Sequence, residues 1–410
     1  MKIWILHCYG TLPEHGQMTR HFNFGKYLSR LGHEPVVFVG SHPHNTNLQL
    51  IDGNEKYKIY QDKPFPWVLV KINNYGTSKI KRLWSMVEYY FNAKLAANHF
   101  EKPDVVIGSS NYPVVAYLGL RLAKKYHAKG IVEIRDLWPE SLVAYGIAKE
   151  KSVVVRLMRR FEKYLYKTAD EIIFTMEGGY DYICDQGWEK DIPRSKVHFI
   201  NNGVDLEEYD FNESHYSISD PDLDDPDTYK VVYTGSFRKA NEQIMKLVDV
   251  IRIMQGEEYK NIKFLLYGSG DFAGKIQKIC EENGYRNAII KGNVEKKYIP
   301  YILSKCDLNI LNLEGHVILR YGGSQNKMFD YLASGHPTIT GDTGKYSVIA
   351  REKCGIARNF KSPEEIIEAI MEMKARGPDR DHIRSVAREY DYKALTKKLL
   401  DVIGNTKKEG

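Results

Sequence analysis

Short apolar runs alternate with amphipathic helical patterns along the chain, and this alternation constrains the fold more than any other feature. The run KIWILH precedes a helical pattern in which Phe24, Leu28 and Leu31 share one face, and the run PVVFVG follows. Runs that are apolar throughout indicate strands buried on both faces, as in parallel sheets. The sequence therefore predicts α/β units in which helices cover a parallel sheet.

The chain has 410 residues, which exceeds one ordinary core, so we expect two domains. The alternation restarts at KVVYTGS, after a stretch with ten acidic residues and no Lys or Arg between Asp205 and Asp227. We interpret this stretch as a solvated acidic linker or insertion. The predicted fold has two doubly wound, Rossmann-like domains facing a cleft, with one ligand in each domain at the carboxyl ends of its strands. The predicted segments are residues 1–204 and 229–385 for the domains, 205–228 for the linker and 386–410 for a final helical segment.

Composition excludes several classes of protein. No apolar run approaches the length of a membrane span, and the start MKIWILHC indicates a first strand rather than a signal peptide. The five cysteines are scattered without metal-ligand spacing, so we expect reduced thiols and no metal site. The net charge of +6 comes with no recognised nucleic-acid-binding motif, so we expect no nucleic-acid partner.

The stretch RYGGSQNKMFDYLASGHPTI contains a lysine at an unusual place. Ser324 is a candidate N-cap and Gly335 a stop signal, so Lys327 falls in the first turn of a helix, where the macrodipole favours an anion. Lys327 could bind a phosphate at the helix N-terminus, while Asp330, on the same face, contacts the hydroxyls of a ribose. The alternative is an exposed Lys327–Asp330 ion pair worth a few tenths of a kcal/mol. The pattern alone leaves both interpretations open.

Six motifs carry a resemblance to a known family, and they occur in the family's order. They are PEHGQMTRH, VEIRDLWPESL, INNGVD, YTGSFRKAN, YGSGD and RYGGSQNKMFDYLASGHPTITGD. Over nearly its whole length, the chain resembles the family-4 type of GT-B glycosyltransferases, close to the bacterial enzymes that build capsule, O-antigen and exopolysaccharide. The resemblance implies a nucleotide-sugar donor in the second domain, an acceptor in the first, and a final helix that crosses back to the first domain.

The resemblance also suggests which residues hold the donor. Asp330 falls at the second acid of the family's paired-acid motif, which holds the ribose, but Gly322 stands where the first acid contacts the donor sugar. Glu314 could supply a carboxylate from the same loop, so the donor-sugar candidates are Glu314, Gly322 and Gly323. Arg238 and Lys239 could reach the diphosphate, although a solvated loop pair is the alternative. The other donor or nucleotide candidates are Gly16, Gly235, Ser236, Ser324, Asn326 and Lys327.

Asp136 is the candidate catalytic residue. It follows a buried strand at its carboxyl end, where a carboxylate could orient the acceptor hydroxyl or take its proton as a general base. Its alternative role is a cap before the following turn. His15, Arg135 and Glu140 are acceptor candidates, and each has a structural alternative. We expect no cofactor, because cations and helix N–H groups can neutralise a leaving diphosphate without a metal.

These features predict a retaining glycosyltransferase, either hexosyl- or N-acetylhexosaminyl-. The expected donor is a nucleoside diphosphate sugar, with UDP as the nucleotide, and the expected acceptor is a lipid-linked saccharide in surface polysaccharide biosynthesis. Two alternatives remain, a UDP-sugar 2-epimerase of the same architecture and a non-catalytic sugar-nucleotide-binding protein. The missing first acid is what makes a non-catalytic binding protein plausible.

A basic helical stripe predicts where the protein works. Its five cations share one face, and each contributes roughly 1 kcal/mol near an anionic surface; they are Arg156, Arg159, Arg160, Lys163 and Lys167. An apolar stripe on the opposite face is expected to pack on the core; it consists of Val154, Leu157, Met158, Phe161 and Leu165. A solvated charged face is the alternative. We therefore expect a cytoplasmic protein peripheral to the inner face of the plasma membrane, with PFPWVLVKINNYGTSKIKRLW as a second contact.

Overall fold

The computed structural model describes residues 1–16, 18–43, 46, 48–76, 78–110, 112–237, 244–315 and 317–404. The chain forms two units. The first consists of residues Met1–Asn201 and the carboxy-terminal segment from Tyr392, and the second is Asn202–Asp391. The sequence predicts boundaries at residues 204 and 386, a few residues from those observed.

The first unit is built on an eight-stranded sheet with the order β3-β4-β2-β1-β5-β6-β7-β8. Every neighbouring pair is parallel except the antiparallel pair of β3 and β4. The strands are β1 (Lys2–His7), β2 (Glu34–Gly40), β3 (Tyr57–Tyr60), β4 (Trp67–Val70), β5 (Val105–Ser110), β6 (Lys129–Ile134), β7 (Glu171–Phe174) and β8 (Val197–Phe199).

Helices cover both faces of this sheet because side chains of one strand alternate between the faces. Ile3 and Ile5 of β1 face the core that Phe24 enters, whereas Trp4 and Leu6 face the core that Met86 enters. The helices are α1 (Arg20–Arg30), α2 (Lys79–Ala96), α3 (Pro113–Tyr126), α4 (Glu140–Ala144), α5 (Val153–Thr168) and α6 (Gly179–Asp185).

The second unit repeats the design with a six-stranded, all-parallel sheet of order β11-β10-β9-β12-β13-β14. Its strands are β9 (Tyr229–Thr234), β10 (Ile262–Tyr267), β11 (Ala288–Gly292), β12 (Leu308–Ile310), β13 (Thr338–Thr340) and β14 (Gly355–Ala357). Its helices are α7 (Leu206–His215), α8 (Pro221–Asp224), α9 (Ile244–Ile253), α10 (Ala273–Glu282), α11 (Ile299–Ser304), α12 (Asn326–Ser334), α13 (Val348–Arg351), α14 (Pro363–Arg376) and α15 (Arg380–Glu389).

The last helix, α16 (Tyr392–Gly404), belongs to the first unit. Leu395 and Leu399 are buried in the same core as Leu28 of α1, and the Tyr392 ring meets the Phe24 ring edge-on at 5.5 Å. In the described part of the chain, no helix is both long and apolar enough to cross a membrane.

The acidic segment 205–228 is folded, so the prediction of a solvated linker is wrong. It contains α7 and α8, and Tyr209 and Leu223 are buried in a core of the second unit. Its carboxylates form ion pairs with lysines of the neighbouring sheet. Lys291 of β11 lies 2.8 Å from Asp220 and 2.6 Å from Asp222. Composition shows the excess of acid but not the lysines that neutralise it.

The apolar stripe predicted to pack on the core from α5 is wrong for Val154 and Leu157 but not for Leu165, which is buried, and Met158 and Phe161 are half-buried. Val154 and Leu157 are exposed, whereas Val155, Leu165 and Tyr166 are buried. The basic stripe is largely neutralised by ion pairs within the first unit. Arg159 binds Glu140, with 2.6 Å between Nε and Oε1, and Lys163 and Lys167 both bind Asp191. The segment PFPWVLVKINNYGTSKIKRLW, expected to be a second membrane contact, is also partly buried. Its aromatic side chains Phe65 and Trp67 lie in the core of the first unit.

Two glycines tie together the carboxyl ends of the neighbouring strands β9, β10 and β11. The Gly235 N–H donates to the Tyr267 carbonyl at 2.9 Å, and the Gly268 N–H donates to the Gly292 carbonyl at 2.7 Å. A Cβ on Gly268 would lie 1.7 Å from the Gly235 carbonyl oxygen, and the φ of Gly268 is +149°. Only glycine fits this junction, which fixes where these strands end.

We expect Gly268→Ala to lower the free energy of unfolding by about 2 kcal/mol or more, because both the backbone angle and the space oppose a methyl group. Gly274→Ala is the matched control, since nothing lies within 4 Å of a Cβ built there. Thermal and urea melts of both variants measure the effect. Equal stability of the two variants would contradict the account of the junction.

Candidate functional site

The carboxyl ends of β9, β10 and β12 lie side by side in the second unit, and α12 begins beside them. Lys327, in the first turn of α12, reaches this edge. Its Nζ lies 3.5 Å from the Leu311 carbonyl oxygen, just after β12, and 3.6 Å from the position of a Cβ built on Gly235, just after β9. The edge therefore combines three strand ends, a helix N-terminus and one cation.

The Lys327 ammonium has an aromatic ring for a neighbour. Nζ lies 4.2 Å from the centre of the Tyr233 ring, a cation–π contact. Burial lowers the pKa of Lys327 from 10.5 to about 7. In the described part of the second unit, no ion pair joins Lys327 to Asp330, so the expected alternative of an exposed pair is not what the structure shows. A lysine whose charge is disfavoured is suited to an anionic ligand.

Tyr331 fixes the orientation of Lys327. It lies one turn further along α12, and its hydroxyl accepts a hydrogen bond from the backbone N–H of Thr234 at 2.9 Å. The buried tyrosine therefore ties α12 to the end of β9. The spacing of four residues places Lys327 over the same strand end. The sequence analysis uses Tyr331 only as part of an apolar stripe.

Ser324 is not the N-cap of α12. The helix begins at Asn326, which is half-buried, and Gln325 is the N-cap residue without a side-chain cap. The Ser324 hydroxyl instead accepts from the Asn202 N–H at 3.1 Å, and the Ser324 carbonyl accepts from the Asn202 amide at 2.7 Å. The serine thus holds the loop before α12 to the first residue of the second unit.

Asp330 lies on α12 in a different electrostatic environment from Lys327. Burial raises its pKa, and Lys296 is the cation that opposes this effect. Asp330 also contributes to the raised pKa of the buried Tyr209 hydroxyl on α7. The structure therefore places the carboxylate near α7, within a turn of Lys327 along the helix.

The backbone explains why the expected first acid is missing. Gly322 has a φ of +99°, which L side chains rarely adopt, so a glutamate at this position would be strained. Glu314, the candidate substitute, is exposed and binds Lys246 at 2.6 Å. Gly323 is half-buried, and a Cβ there would lie 2.7 Å from the side-chain oxygen of Gln325.

The loop after β9 carries four of the expected donor residues. Gly235 has a φ of +148°, and the Ser236 carbonyl accepts from the Tyr233 hydroxyl at 3.1 Å. Arg238 and Lys239 lie outside the described residues. The structure thus brings Gly235, Ser236 and Lys327 together around the ring of Tyr233.

Asp136 follows β6 of the first unit. Its side chain is exposed, yet the surrounding protein restricts its hydration enough to raise its pKa against the effects of Arg135 and Arg82. Arg135 is half-buried and donates its backbone N–H to the Ser110 carbonyl at 3.4 Å, next to the end of β5. Burial lowers the pKa of Arg135 while Glu133 raises it. An exposed carboxylate with restricted hydration can accept a hydrogen bond from a ligand hydroxyl.

A buried charge cluster beneath Asp136 is not predicted from the sequence. Glu133 lies 2.8 Å from both Arg20 and His21, the first two residues of α1, and it accepts from the Ser109 hydroxyl of β5. Burial alone would raise the pKa of Glu133, but Arg20 and His21 hold it well below its ordinary value. The cluster fixes the ends of β5 and β6 against α1. A glutamate inside the apolar run GIVEIRD was the available signal.

The other acceptor candidates have structural contacts. Both carboxylate oxygens of Glu140 bind Arg159, at 2.6 and 3.0 Å, so the structural alternative fits Glu140 better. His15 is half-buried and donates its backbone N–H to the Leu12 carbonyl at 2.9 Å. Gly16, a nucleotide candidate, has an extended backbone, and a Cβ there would lie 3.2 Å from the side chain of Thr11. Among the described residues, no cluster of His, Cys, Asp or Glu could hold a metal ion.

Two protein-family models match the chain. The model described as Glycosyltransferase Family 4 matches residues 16–208, and the model described as Glycosyl transferases group 1 matches residues 228–375. The first match lies almost wholly in the first unit, and the second lies in the second unit.

One curated relative is described as probable glycosyltransferase WbjE of Pseudomonas aeruginosa. It is 22% identical over 227 residues, which cover 55% of this chain and 54% of that protein. The chain thus spans about half the length of the curated relative it matches.

The chain is also similar to solved structures over nearly its whole length. HepE of Anabaena, in complex with UDP, has a TM-score of 0.66 and 11% identity, with 99% of this chain and 100% of that chain covered. WaaG, described as a glycosyltransferase involved in lipopolysaccharide biosynthesis, has a TM-score of 0.61 and 15% identity, with 99% and 100% covered. At these identities the likeness establishes the fold, and it confirms the predicted pair of Rossmann-like GT-B domains.

Proposed function

Because this chain belongs to the family-4-like glycosyltransferases of the GT-B fold, we propose that it transfers a sugar from a nucleoside diphosphate to a lipid-linked saccharide. The proposed nucleotide is UDP, the proposed outcome is retention at the anomeric carbon, and the proposed place is the cytoplasmic face of the plasma membrane. The observation that carries the proposal is Lys327, a partly buried lysine at the carboxyl edge of the second sheet whose charge has no carboxylate partner among the described residues. HepE in complex with UDP and WaaG in lipopolysaccharide biosynthesis support the choice of donor and pathway class.

The diphosphate is the part of the donor that this edge suits best. Lys327 supplies a cation, and the first turn of α12 places the positive end of the helix dipole at this edge. Gly235, at the end of β9, leaves room for a phosphate close to the backbone. In this proposal Asp330 holds the ribose, Ser236 and Asn326 lie beside the nucleotide, and Ser324 only supports the loop.

The proposed chemistry breaks one bond and forms one. The bond between the anomeric carbon of the sugar and the oxygen of the β-phosphate breaks, and the acceptor oxygen bonds to that carbon on the same face. The acceptor proton moves to the leaving phosphate oxygen, so no protein nucleophile is needed. Asp136 accepts a hydrogen bond from the acceptor hydroxyl while the acceptor docks, which orients the hydroxyl oxygen; the single proton turns from Asp136 to the leaving phosphate oxygen as the new bond forms. Charge on the leaving UDP is neutralised by Lys327 and the helix N–H groups.

Replacing Lys327 tests the diphosphate contact. We expect Lys327→Met to weaken UDP binding by roughly ten- to a hundredfold, because a charge-assisted contact is lost, and to leave uridine binding nearly unchanged. Lys278→Met, on the exposed side of α10, is the control and should change neither affinity. Calorimetry with both ligands measures the difference. Equal losses for UDP and uridine would remove Lys327 from the phosphate site.

The lowered pKa of Lys327 gives the same site a pH signature. At pH 8 the free protein holds this lysine mostly neutral, since its pKa is about 7. A bound diphosphate raises that pKa toward 10.5, so binding takes up a proton in the window between about pH 7 and pH 10. We expect uptake approaching one proton per UDP, measured from binding enthalpies in buffers of different ionisation enthalpy. The uptake should be absent in Lys327→Met, and its persistence there would assign the proton to another group.

Replacing Asp136 separates transfer from binding. We expect Asp136→Asn to lower the transfer rate roughly 10²-fold, because the attacking hydroxyl is no longer held in place, while UDP affinity and melting temperature stay unchanged. Asp62→Asn, at an exposed aspartate elsewhere in the first unit, is the control. Full transfer by Asp136→Asn would return Asp136 to a structural role. Product analysis without acceptor checks the alternatives, because an epimerase turns over the donor alone and a pure binding protein turns over nothing.

A further inference from the structure

Helix α2 presents a continuous apolar face to solvent. Six side chains on this face follow the helical spacing i, i+3, i+4, i+7, i+11 and i+15. They are Ile80, Leu83, Trp84, Val87, Phe91 and Leu95, and all six are exposed, with 81% of Ile80, 64% of Leu83, 59% of Trp84 and 62% of Phe91 accessible. A row of large exposed apolar residues on one helix marks an interaction surface rather than an ordinary solvated face.

The inward face of α2, opposite these exposed residues, also carries apolar side chains. Met86, Tyr89 and Ala93 are buried against the sheet of the first unit. Polar residues, Arg82, Glu88 and Asn92 among them, also occur on α2, and a helix with apolar side chains on two faces is normally covered on both of them. The outward face of α2 therefore needs a cover that the chain's own described residues do not supply.

Aromatic rings continue this face onto the neighbouring helices. The Phe91 ring lies 5.3 Å from Tyr90, and Tyr90 stacks at 6.3 Å on Tyr117 of α3. Tyr117 lies 5.8 Å from Phe161 of α5, which in turn stacks at 6.3 Å on Tyr164. Val153, Val154 and Leu157 are exposed apolar residues of the same helix α5. We call the outward residues of these three helices the α2–α3–α5 surface.

The charges on the three helices complement an anionic partner. Two carboxylates occur on them, Glu88 and Glu162; Glu88 binds the Asn73 amide and backbone, and Glu162 is buried. The exposed cations are more numerous, and they are Lys81, Lys94, Arg121, Lys124, Lys125, Arg156, Arg160 and Lys167. A surface of aliphatic and aromatic side chains with Lys and Arg around them has the composition of helices that lie in the interface of an anionic bilayer.

We propose that the α2–α3–α5 surface inserts into the interfacial layer of an anionic membrane, with α2 as the element that penetrates most deeply. The apolar side chains of α2 enter the acyl boundary, the tyrosines lie at the headgroups, and Arg121, Arg156 and Arg160 bind lipid phosphates. This deepens the proposed function by identifying the part of the first unit that meets the membrane of a lipid-linked acceptor. It also shifts the main contact from the basic stripe of α5 to α2, since Arg159, Lys163 and Lys167 of that stripe are paired within the first unit, and it keeps Arg156 and Arg160 of the stripe as phosphate contacts.

Vesicle sedimentation tests the insertion. Wild-type protein should bind vesicles of phosphatidylglycerol and phosphatidylethanolamine, and the triple variant Leu83→Ser, Trp84→Ser, Phe91→Ser should bind at least a hundredfold more weakly, since each buried apolar side chain is worth roughly a tenfold change or more. The three residues are exposed, so the variant should melt like the wild type. Phe211→Ser is the matched control, because Phe211 is an exposed phenylalanine on α7 of the second unit. It should bind vesicles normally.

Trp84 provides a second readout. Its emission should shift to shorter wavelength when vesicles are added and should be quenched by brominated lipid chains, as expected for an indole that leaves water. Trp84→Phe should keep vesicle binding but lose the shift. The charge-reversal variant Arg121→Glu, Arg156→Glu, Arg160→Glu should lose binding to anionic vesicles at low salt, and wild type should bind neutral phosphatidylcholine vesicles more weakly than anionic ones.

Three outcomes would overturn the proposal. The first is unchanged vesicle binding by the triple serine variant, and the second is an unshifted Trp84 on vesicles that carry the protein. The third is a wild-type dimer that ignores vesicles and that the triple variant converts to a monomer, which would make the surface an interface between two copies of the chain. UDP binding measured without lipid keeps the two proposals apart. Its absence would overturn the nucleotide assignment and leave the vesicle result standing.

Discussion

The parallel pairing of the strands is the constraint on which both units depend. Parallel strands need helical crossovers, so helices cover both faces of each sheet and the strands read as uninterrupted apolar runs. Parallel pairing also collects the carboxyl ends of the strands at one edge. In the second unit that edge holds Gly235 and Lys327, and in the first it holds Asp136. The strand topology alone therefore defines two edges, one in each unit, and we expect the chemistry of the protein at these edges.

Lys327 shows how a local anomaly in a sequence can mark a site. A lysine in the first turn of a helix opposes the macrodipole, and burial adds a second cost to its charge, which the cation–π contact with the Tyr233 ring does not cancel. Neither cost is offset by a carboxylate in the described part of the chain. A bound diphosphate would offset both. Gly322 shows the opposite case, a residue missing from a motif. Its positive φ disfavours the acid that the family motif leads one to expect at this position.

The sequence predicts the architecture better than it predicts the surfaces. Apolar periodicity is a local signal, so the strand–helix alternation and the two-domain fold follow from it, although the short strands β3 and β4 do not. The failures all involve partners distant in the chain. Asp220 meets Lys291, Arg159 meets Glu140, and Glu133 meets Arg20 across 113 residues. No spacing rule connects such pairs, so the acidic segment, the basic stripe and the buried cluster are visible only once the chain is folded.

The most direct test of the central claim, that the second unit binds a nucleoside diphosphate at the edge that Lys327 occupies, is a thermal-shift panel. UDP, GDP, ADP, CMP and their sugars are added separately to the wild-type chain and to Lys327→Met. A ligand at a hundred times its dissociation constant adds roughly 2.7 kcal/mol of stability. The account predicts a rise in melting temperature with UDP for the wild type and a much smaller rise for the variant. No shift with any nucleotide, or an equal UDP shift in both chains, would contradict it.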